Sequence, residues 1–441
     1  MAAGVVILAF LFLGVAFWNR FPLMYYDTAG YLEQGIGGAF LVERSPVYSL
    51  LLLFTGGAFS LWPVVILQAV MTATMIALTA RIEAPHLSLL GLAGVGLGLM
   101  ALTGIGWYVG QVEPDCMTGL IVLGSYLLMF RQARLGGRAR GWVIAITALA
   151  VASHPSHLGL IAGFLLVGAA LKFFAGARMP RPRLRHAVMA FALALTMIMA
   201  SNLVLARSLF ISRSGSVFVV ARLMQDGIIQ RLLHDTCPAS GYDLCAYQNR
   251  VPHNANAWLW GDKSLFHSQG GFGQGQDQDN RMIVDSLKRY PWMHVKAAVY
   301  DSVLQFFMFK TGDGIESQVN ILKPELIRNT PGQLPAYLSA RQQSQKIRFQ
   351  TLNMIHVTFG MLSLLGLVLL LNHALLRRRW GSATLPGLVL LGLMGNAIIC
   401  ATFSNPHDRY QSRMMWLPAL VLFLARARDP DALHPDEESG T

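Results

Sequence analysis

Long apolar blocks alternate with short polar segments along most of the chain. Ala, Val, Leu, Ile and Gly fill runs that match the ~20 residues a helix needs to cross a hydrocarbon core of about 30 Å. A transmembrane β-barrel would instead alternate apolar and polar residues over strands of ~10 residues, and these runs do not alternate. The pattern predicts an all-α polytopic membrane protein.

Composition and charge narrow the class further. Only 13% of the residues are charged and 54% are hydrophobic, whereas soluble domains have about 25% charged residues. A net charge of +12 raises nucleic acid as a partner. However, the basic residues gather in short clusters between the apolar runs: Arg81, 131–140, 172–185, 377–379, and Arg426 with Arg428. This is the positive-inside signature, and without a nucleic-acid-binding motif it excludes nucleic acid as the partner.

The basic clusters also predict a topology. If all of them face the cytoplasm, the predicted spans are 1–18, 62–80, 87–107, 116–130, 142–153, 158–174, 187–206, 353–371, 382–402 and 413–425. The apolar segment 46–61 is then a re-entrant or membrane-lying helix on the outer face, because it is short, starts at a proline and contains Gly56 and Gly57. A conventional crossing there, with eleven spans, is the alternative.

This topology divides the chain into four parts and places nearly all chemically active residues outside. The parts are a transmembrane module at 1–206 with outer loops 20–61 and 104–115, a large extracytoplasmic loop at 207–352, C-terminal transmembrane helices at 353–425, and a cytoplasmic tail at 426–441. The tail is acidic at its end and is expected to be disordered. The predicted location is the inner (cytoplasmic) membrane of a bacterium.

The large loop carries two features of interest. Cys237 and Cys245 lie close together in CPASGYDLC, and thiols oxidise on the extracytoplasmic side. A disulfide is therefore predicted, with two free cysteines as the alternative. Trp258, Trp260 and Trp292 are expected to contact the membrane interface.

The first outer loop supplies an acid and an arginine. In FPLMYYDTAGYLEQG, Asp27 and Tyr31 are four residues apart and share a face of a short helix. The alternative for Asp27 is a helix cap. In VERSPVY, Glu43 and Arg44 precede the outer-face helix, and their alternative is snorkelling at the interface.

Two further outer segments carry ionisable groups. In GQVEPDCMTG, Glu113 and Asp115 stand where a span begins, so complementing the helix dipole is their alternative role. His154 and His157 form a His-Pro-Ser-His tip between two spans. A metal pair or proton relay is one interpretation, but a polar turn is favoured because no third ligand is near.

The last outer loop, SNPHDRYQSR, is unusually dense in functional groups. Arg409, with Tyr410 beside it, suits bidentate binding of a phosphate. A surface ion pair of Asp408 with Arg409 or Arg413 is the alternative. Acids, arginines and aromatic residues on one face fit a reaction on a lipid-linked anionic substrate that arrives from the bilayer.

The order of these features resembles the GT-C superfamily of integral-membrane glycosyltransferases, which use polyprenyl-phosphate sugars. The shared features are an anchor span, an acidic first outer loop (YYDTAGYLEQG), the helix in ERSPVYSLLLLF, an acid opening a span (VEPDCMTGLIVLGSYLLMF), and a large outer loop after the seventh span. ERSP resembles the Glu-Lys-Pro-Pro element of the protein O-mannosyltransferase and aminoarabinose-transferase branches. The resemblance covers residues 1–206 and, in layout only, the C-terminal half.

The resemblance implies an enzyme that moves a sugar from a polyprenyl-phosphate donor to an extracytoplasmic glycan, lipid or protein. Asp27 matches the general base on the acceptor hydroxyl. Asp115 matches the second acid, with Glu113 as a near alternative. Glu43 and Arg44 match the element beside the donor phosphate. A single displacement would invert the anomeric centre.

Two departures from the family pattern leave a divalent cation, Mg²⁺ or Mn²⁺, open as a cofactor. Thr28 follows Asp27, where many members have Glu or Arg, and the second outer loop has no Asp-x-Asp pair. The substrate-binding residues predicted in addition to Glu43 and Arg44 are Tyr31, His154, His157, Arg409 and Tyr410.

Three other functions remain as alternatives. A transporter or flippase for a lipid-linked or anionic solute would have charged residues at mid-membrane and pseudo-symmetric halves, features that are nearly missing from the sequence. An outer-face acyltransferase would use His154 or His157 as its base. A non-catalytic subunit of an envelope complex would need none of these residues.

Overall fold

The computed structural model describes residues 1–174, 176, 179–261, 263–273 and 275–427. The fold is helical, with about 75% of the residues in helices and no β-strand within these ranges. An isolated parallel bridge joins Leu23 and Gln111. The all-α class is therefore confirmed, whereas nearly all of the predicted cytoplasmic tail lies outside the described residues.

The α-helices follow one another in three groups along the chain. Residues 1–206 form α1 (Ala2–Phe12), α2 (Gly14–Asn19), α3 (Asp27–Gly35), α4 (Pro46–Phe54), α5 (Trp62–Glu83), α6 (Leu89–Leu102), α7 (Ile105–Val109), α8 (Met117–Phe130), α9 (Gly137–Ala152), α10 (Pro155–Phe174) and α11 (Arg185–Ala206). The large loop forms α12 (Gly215–Gln225), α13 (Ile228–Thr236), α14 (Ala255–Trp260), α15 (Leu265–Ser268), α16 (Gln276–Arg289), α17 (Pro291–Phe307), α18 (Val319–Asn329) and α19 (Leu334–Ser339). The C-terminal group is α20 (Phe349–Leu376), α21 (Trp380–Phe403), α22 (Asp408–Ser412) and α23 (Trp416–Arg426).

Within the described residues, 6 helical segments are long and apolar enough to cross a membrane. These segments are α1 continued by α2, α5, α10, α11, α20 and α21. The remaining predicted spans correspond to shorter apolar helices: α6 and α8 with 14 residues each, α9 with 16 and α23 with 11. A membrane protein is thus supported, and the total of about ten spans stays a prediction.

The segment 46–61 does not form one continuous helix. Its helix, α4, has 9 residues with Pro46 in the first turn, and at 1.5 Å per residue it is about 14 Å long. Gly56, at φ +77°, turns the chain directly after it. A helix of this length reaches about half-way across the hydrocarbon core. Its re-entrant placement stays a prediction.

Two buried glutamines hold the outer loops against the membrane helices. Gln68 of α5 accepts a hydrogen bond from Tyr48 Oη at 2.7 Å and donates to the carbonyl of Gln111 at 2.8 Å. Gln342 bonds both the amide N–H and the carbonyl of Met24. Because each glutamine is buried with its amide satisfied, these bonds fix the segments that precede Asp27 and Glu113.

The large loop does not pack as one unit. Residues 215–290, here named the 215–290 subdomain, have a hydrophobic core of their own that includes Trp258 and Met282. Farther along the loop, Leu322 and Tyr337 instead join the core of the membrane helices. Cys237 and Cys245 form the predicted disulfide within the subdomain.

Candidate functional site

A cavity of about 540 Å³ lies where the membrane helices meet the 215–290 subdomain. Nine of the ten residues predicted for the site line it, from five separate segments of the chain: Asp27, Tyr31, Glu43, Arg44, Glu113, Asp115, His154, Arg409 and Tyr410. The tenth, His157, does not line it.

Asp27 is held between two arginines on the wall of this cavity. Its Oδ1 is 2.8 Å from Arg44 Nη2, and its Oδ2 accepts a hydrogen bond from Arg409 Nη2 at 3.1 Å. Tyr26, not Asp27, occupies the cap position of α3. Arg44 does not snorkel, because only 14% of its side chain is exposed and its charge is directed at Asp27. The cap alternative for Asp27 and the snorkelling alternative for Arg44 are therefore not what the structure shows, whereas the role of Glu43 stays a prediction.

Both arginines keep hydrogen-bond donors unused. Arg44 Nε, Arg409 Nε and Arg409 Nη1 are buried without a partner among the described residues. A guanidinium has five N–H donors, and leaving a buried donor unpaired costs ~1–3 kcal/mol.

Aromatic rings and a backbone contact fix the position of Arg409. Its guanidinium carbon lies 4.2 Å from the ring centroid of Tyr25 and 5.1 Å from that of Tyr410. Asp313 accepts a hydrogen bond from the backbone N–H of Arg409 at 3.1 Å. These contacts hold the guanidinium of Arg409 in one orientation. Little further side-chain entropy is therefore lost when it binds a ligand.

Asp115 is bound to a third arginine. Its Oδ1 is 2.6 Å from Nη1 of Arg413, a fully buried side chain, and Arg413 Nη2 donates to Asn396 Oδ1 at 3.1 Å. Asp115 Oδ2 is buried without a partner in the part of the chain that the structure describes. Pairing with Arg413, rather than a helix dipole alone, thus accounts for an acid at this position.

Asp408 is not part of this charge cluster. Its Oδ1 accepts a hydrogen bond from the backbone N–H of Lys310 at 2.8 Å. Arg409 and Arg413 direct their charges to Asp27 and Asp115 instead. The alternative of a surface ion pair between Asp408 and either arginine is not observed.

Glu113 lies in a different electrostatic environment from the other two acids. Thr28 Oγ1 donates to its Oε1 at 3.2 Å. Burial raises the pKa of Glu113 well above its usual range, and the neighbouring charges of Asp27 and Asp115 raise it further. The carboxyl group therefore favours its neutral form, whereas Asp27 and Asp115 are paired with the arginines Arg44, Arg409 and Arg413.

The two histidines differ in what they can do. His157 Nδ1 lies 2.7 Å from the carbonyl of Ala150 and its Nε2 lies 2.8 Å from Thr118 Oγ1. A carbonyl oxygen only accepts hydrogen bonds, so Nδ1 carries the proton. Both ring nitrogens of His157 are thus engaged in hydrogen bonds within the protein. His154 lines the cavity with its Nδ1 2.8 Å from Ser156 Oγ. Burial lowers the pKa of His154 well below its usual range, and the nearby Arg413 lowers it further, which favours a neutral ring.

Ligands for a divalent cation do not gather in this site. No group of three or more His, Cys, Asp or Glu side chains within the described ranges has the arrangement of a metal site. Asp27 and Asp115 are each bound to arginine, which competes with a cation for the carboxylate. The described side chains thus form no cation site from protein ligands alone, and no step proposed below passes through a metal.

No protein-family model, curated protein or solved structure matches the chain. The resemblance to the GT-C superfamily therefore depends on the short motifs quoted above.

Sequence reasoning missed the contribution of the 215–290 subdomain. Asn256 and Trp260 of α14 line the cavity beside the last outer loop. Trp258 is buried in the core of the subdomain, so the expectation of a membrane-interface position is wrong for it. The available signal was spacing: residues 256 and 260 are four apart and share a helix face, whereas residue 258 points away from it.

Proposed function

We propose that the chain is a membrane glycosyltransferase that moves a sugar from a polyprenyl-phosphate donor to a hydroxyl group of an extracytoplasmic acceptor. The observation that carries this proposal is Asp27 held between Arg44 and Arg409 on the cavity wall. A carboxylate beside two arginines suits glycosyl transfer, because the carboxylate can accept the proton of the acceptor hydroxyl and the arginines can stabilise the phosphate that leaves as an anion. The enzyme acts on the outer face of a bacterial inner membrane.

The phosphate of the donor binds beside the two arginines. Arg44 and Arg409 both line the cavity, and their guanidinium groups can form charge-assisted hydrogen bonds to phosphate oxygens. Positive charge at this point stabilises the leaving oxygen as it becomes anionic.

The apolar wall of the cavity accommodates the lipid part of the donor. Leu158 of α10, Ile198 of α11 and Ile399 of α21 line it. All three helices are long and apolar enough to span a bilayer. A prenyl chain bound along this wall therefore passes from the phosphate site into the hydrocarbon region without crossing a polar surface.

The reaction is a single displacement at the anomeric carbon. The acceptor oxygen forms a bond to that carbon while the bond to the phosphate oxygen breaks, and the prenyl phosphate leaves with the electron pair. Asp27 accepts the proton of the acceptor hydroxyl. Attack from the opposite face inverts the anomeric configuration.

The test is transfer of radiolabelled sugar from a panel of polyprenyl-phosphate sugars in membranes. Asp27→Asn keeps the shape of the side chain and removes the base, so transfer falls at least ~100-fold at equal expression. Glu33→Gln is the matched control, because Glu33 lies on the same helix and does not line the cavity. Equal transfer by wild type and Asp27→Asn would overturn the role of Asp27. If wild type transfers nothing from any donor, solute flux in proteoliposomes tests the transporter alternative.

A further inference from the structure

Helix α14 presents a polar and an aromatic side chain to the cavity from one face. Asn254 Oδ1 accepts a hydrogen bond from the N–H of Ala257 at 2.8 Å and so starts the helix. Asn256 and Trp260, four residues apart, both line the cavity. Trp258, on the opposite side of the helix, is buried in the core of the 215–290 subdomain. Burial of Trp258 holds α14 in place, and this directs Asn256 and Trp260 toward the cavity.

Trp260 offers a flat apolar surface inside the cavity. It is 43% exposed although it lines the cavity. Phe272 supports the indole, with 5.6 Å between the ring centroids. The guanidinium carbon of Arg44 lies 5.8 Å from the centroid of Trp260. This surface is therefore adjacent to the Arg44–Asp27 pair, where the reacting atoms are proposed to lie.

Amide groups flank this aromatic surface. Asn405 Nδ2 donates to Asn256 Oδ1 at 3.3 Å and lies 3.1 Å from His407 Nε2. Among the described residues Asn256 makes no other side-chain hydrogen bond, so both N–H groups of its amide are available to a ligand. An exposed aromatic face with amide donors and acceptors at its edge is complementary to a sugar ring, which has an apolar C–H face and hydroxyl groups around its rim.

We propose that Trp260, Asn256 and Asn405 form a sugar-binding subsite next to Asp27. Trp260 stacks on the C–H face of a pyranose ring, and the two amides bond its hydroxyls. The inference rests on the proposed function and deepens it by assigning recognition of the sugar to the 215–290 subdomain. The ring belongs either to the donor sugar or to a glycan acceptor, and the experiment distinguishes these sources.

The first measurement is steady-state transfer by the purified full chain, with donor and acceptor varied separately. Trp260→Ala raises KM for the sugar substrate at least tenfold and changes kcat less than about threefold, because stacking contributes to binding before the chemical step. A higher KM for the donor assigns the ring to the donor, and a higher KM for the acceptor assigns it to the acceptor. Trp260→Phe keeps an aromatic face and recovers most of the affinity. Unchanged KM values for both substrates overturn the proposal.

The control is Trp292→Ala, because Trp292 is 74% exposed on α17 and does not line the cavity. Its KM values stay at those of wild type. Asn256→Ala is a second test that does not depend on the fold, since its side chain is exposed. It raises the same KM as Trp260→Ala without lowering the thermal unfolding midpoint.

A binding measurement separates failure of the subsite from failure of the proposed function. Saturation-transfer NMR is recorded with citronellyl phosphates of mannose, glucose, galactose and aminoarabinose, and with the corresponding methyl glycosides. Ring-proton signals with wild type that disappear with Trp260→Ala support the subsite even if no transfer occurs. Equal signals with both proteins, or no ring signal with wild type from any of these probes, overturn it.

Discussion

Two buried clusters of arginine and carboxylate occur in different regions of the molecule, and they differ in how completely they are paired. In the 215–290 subdomain, Arg222 lies between Asp226, at 2.8 Å, and Asp301 of α17. Its Nε donates to the carbonyl of Ala401 at 2.9 Å. One cation is thus shared by two acids and by the end of a membrane helix. This cluster joins the subdomain to α17 and α21.

The cavity cluster has the opposite composition. There, Arg44 and Arg409 share the single carboxylate of Asp27, and three of their nitrogens are buried without partners among the described residues. Burying charge is unfavourable unless it is paired and hydrogen-bonded. The subdomain cluster meets this condition with protein groups, whereas the cavity cluster meets it only in part within the described residues. Both clusters are buried and charged. Incomplete pairing is therefore the property that distinguishes the cavity cluster from the structural cluster around Arg222.

The largest expected effect comes from breaking the subdomain cluster. Arg222→Met leaves Asp226 and Asp301 facing each other without a cation, which destabilises the fold by ~3–5 kcal/mol. The thermal unfolding midpoint in detergent falls strongly, while transfer per folded molecule stays within about threefold of wild type. Arg231→Met, which removes a solvent-exposed pair with Asp235, leaves the unfolding midpoint nearly unchanged, because solvent and salt screen an exposed ion pair. Equal midpoints for the two variants would contradict a structural role for Arg222.

Breaking the cavity cluster is expected to lower transfer while leaving the stability of the fold nearly unchanged. Arg409→Gln removes positive charge from the position of the leaving phosphate, so kcat/KM for transfer falls about 100- to 1,000-fold. The unfolding midpoint hardly changes, because Arg44 still pairs with Asp27. Arg328→Gln removes an arginine that also pairs with a carboxylate, that of Glu325, but does not line the cavity, so it serves as the matched control. If transfer stayed normal and the unfolding midpoint fell, Arg409 would instead stabilise the fold, as Arg222 is expected to do.

The smallest expected effect is a pH dependence of the subdomain cluster. Burial raises the pKa of Asp226 to about 6, and the charge of Arg222 offsets this only in part because it is shared with Asp301. An unfolded aspartate has a pKa of about 3.9. The folded state therefore binds this proton more tightly, which adds stability that is complete below about pH 4 and is lost as the pH rises through 6.

The measurement is the unfolding midpoint of wild type minus that of Asp226→Asn, recorded from pH 4 to pH 7. The subtraction removes the contribution of every other titrating group. We expect the difference to decrease as the pH rises. A constant difference would show that Asp226 does not take up a proton in this range.

Helix positions were largely predictable from the sequence because they depend on local pattern. The span predicted at 62–80 is observed as Trp62–Glu83, and that at 382–402 as Trp380–Phe403. The prediction at 87–107 was too long. There α6 ends at Leu102, and α7 begins only at Ile105. An apolar composition indicates burial in a bilayer, but it does not show where Thr103 and Gly104 interrupt the helix.

A candidate residue was predictable from the sequence when its residue type was unusual for the segment in which it lies. Asp27 and Arg409 stood out as charged groups in short outer loops, and both line the cavity. Trp260 did not stand out, because a tryptophan in a long outer loop is equally compatible with a core, a membrane interface and a binding site. His157 was selected as readily as His154, although its two nitrogens are used in packing.

The sequence by itself determined a helical protein with apolar, membrane-type helices and with its candidate reactive groups in a few short segments between them, because apolar run length acts locally along the chain. The tertiary structure decided which groups meet. Asp27 and Arg409 are 382 residues apart and make contact only through the packing of α3 against the last outer loop. Long-range contacts of this kind depend on how several helices pack together, so no local pattern encodes them. Tertiary packing likewise completed the pairing of Arg222, whereas it gave Arg409 Nε and Nη1 no partner in the ranges that the structure describes.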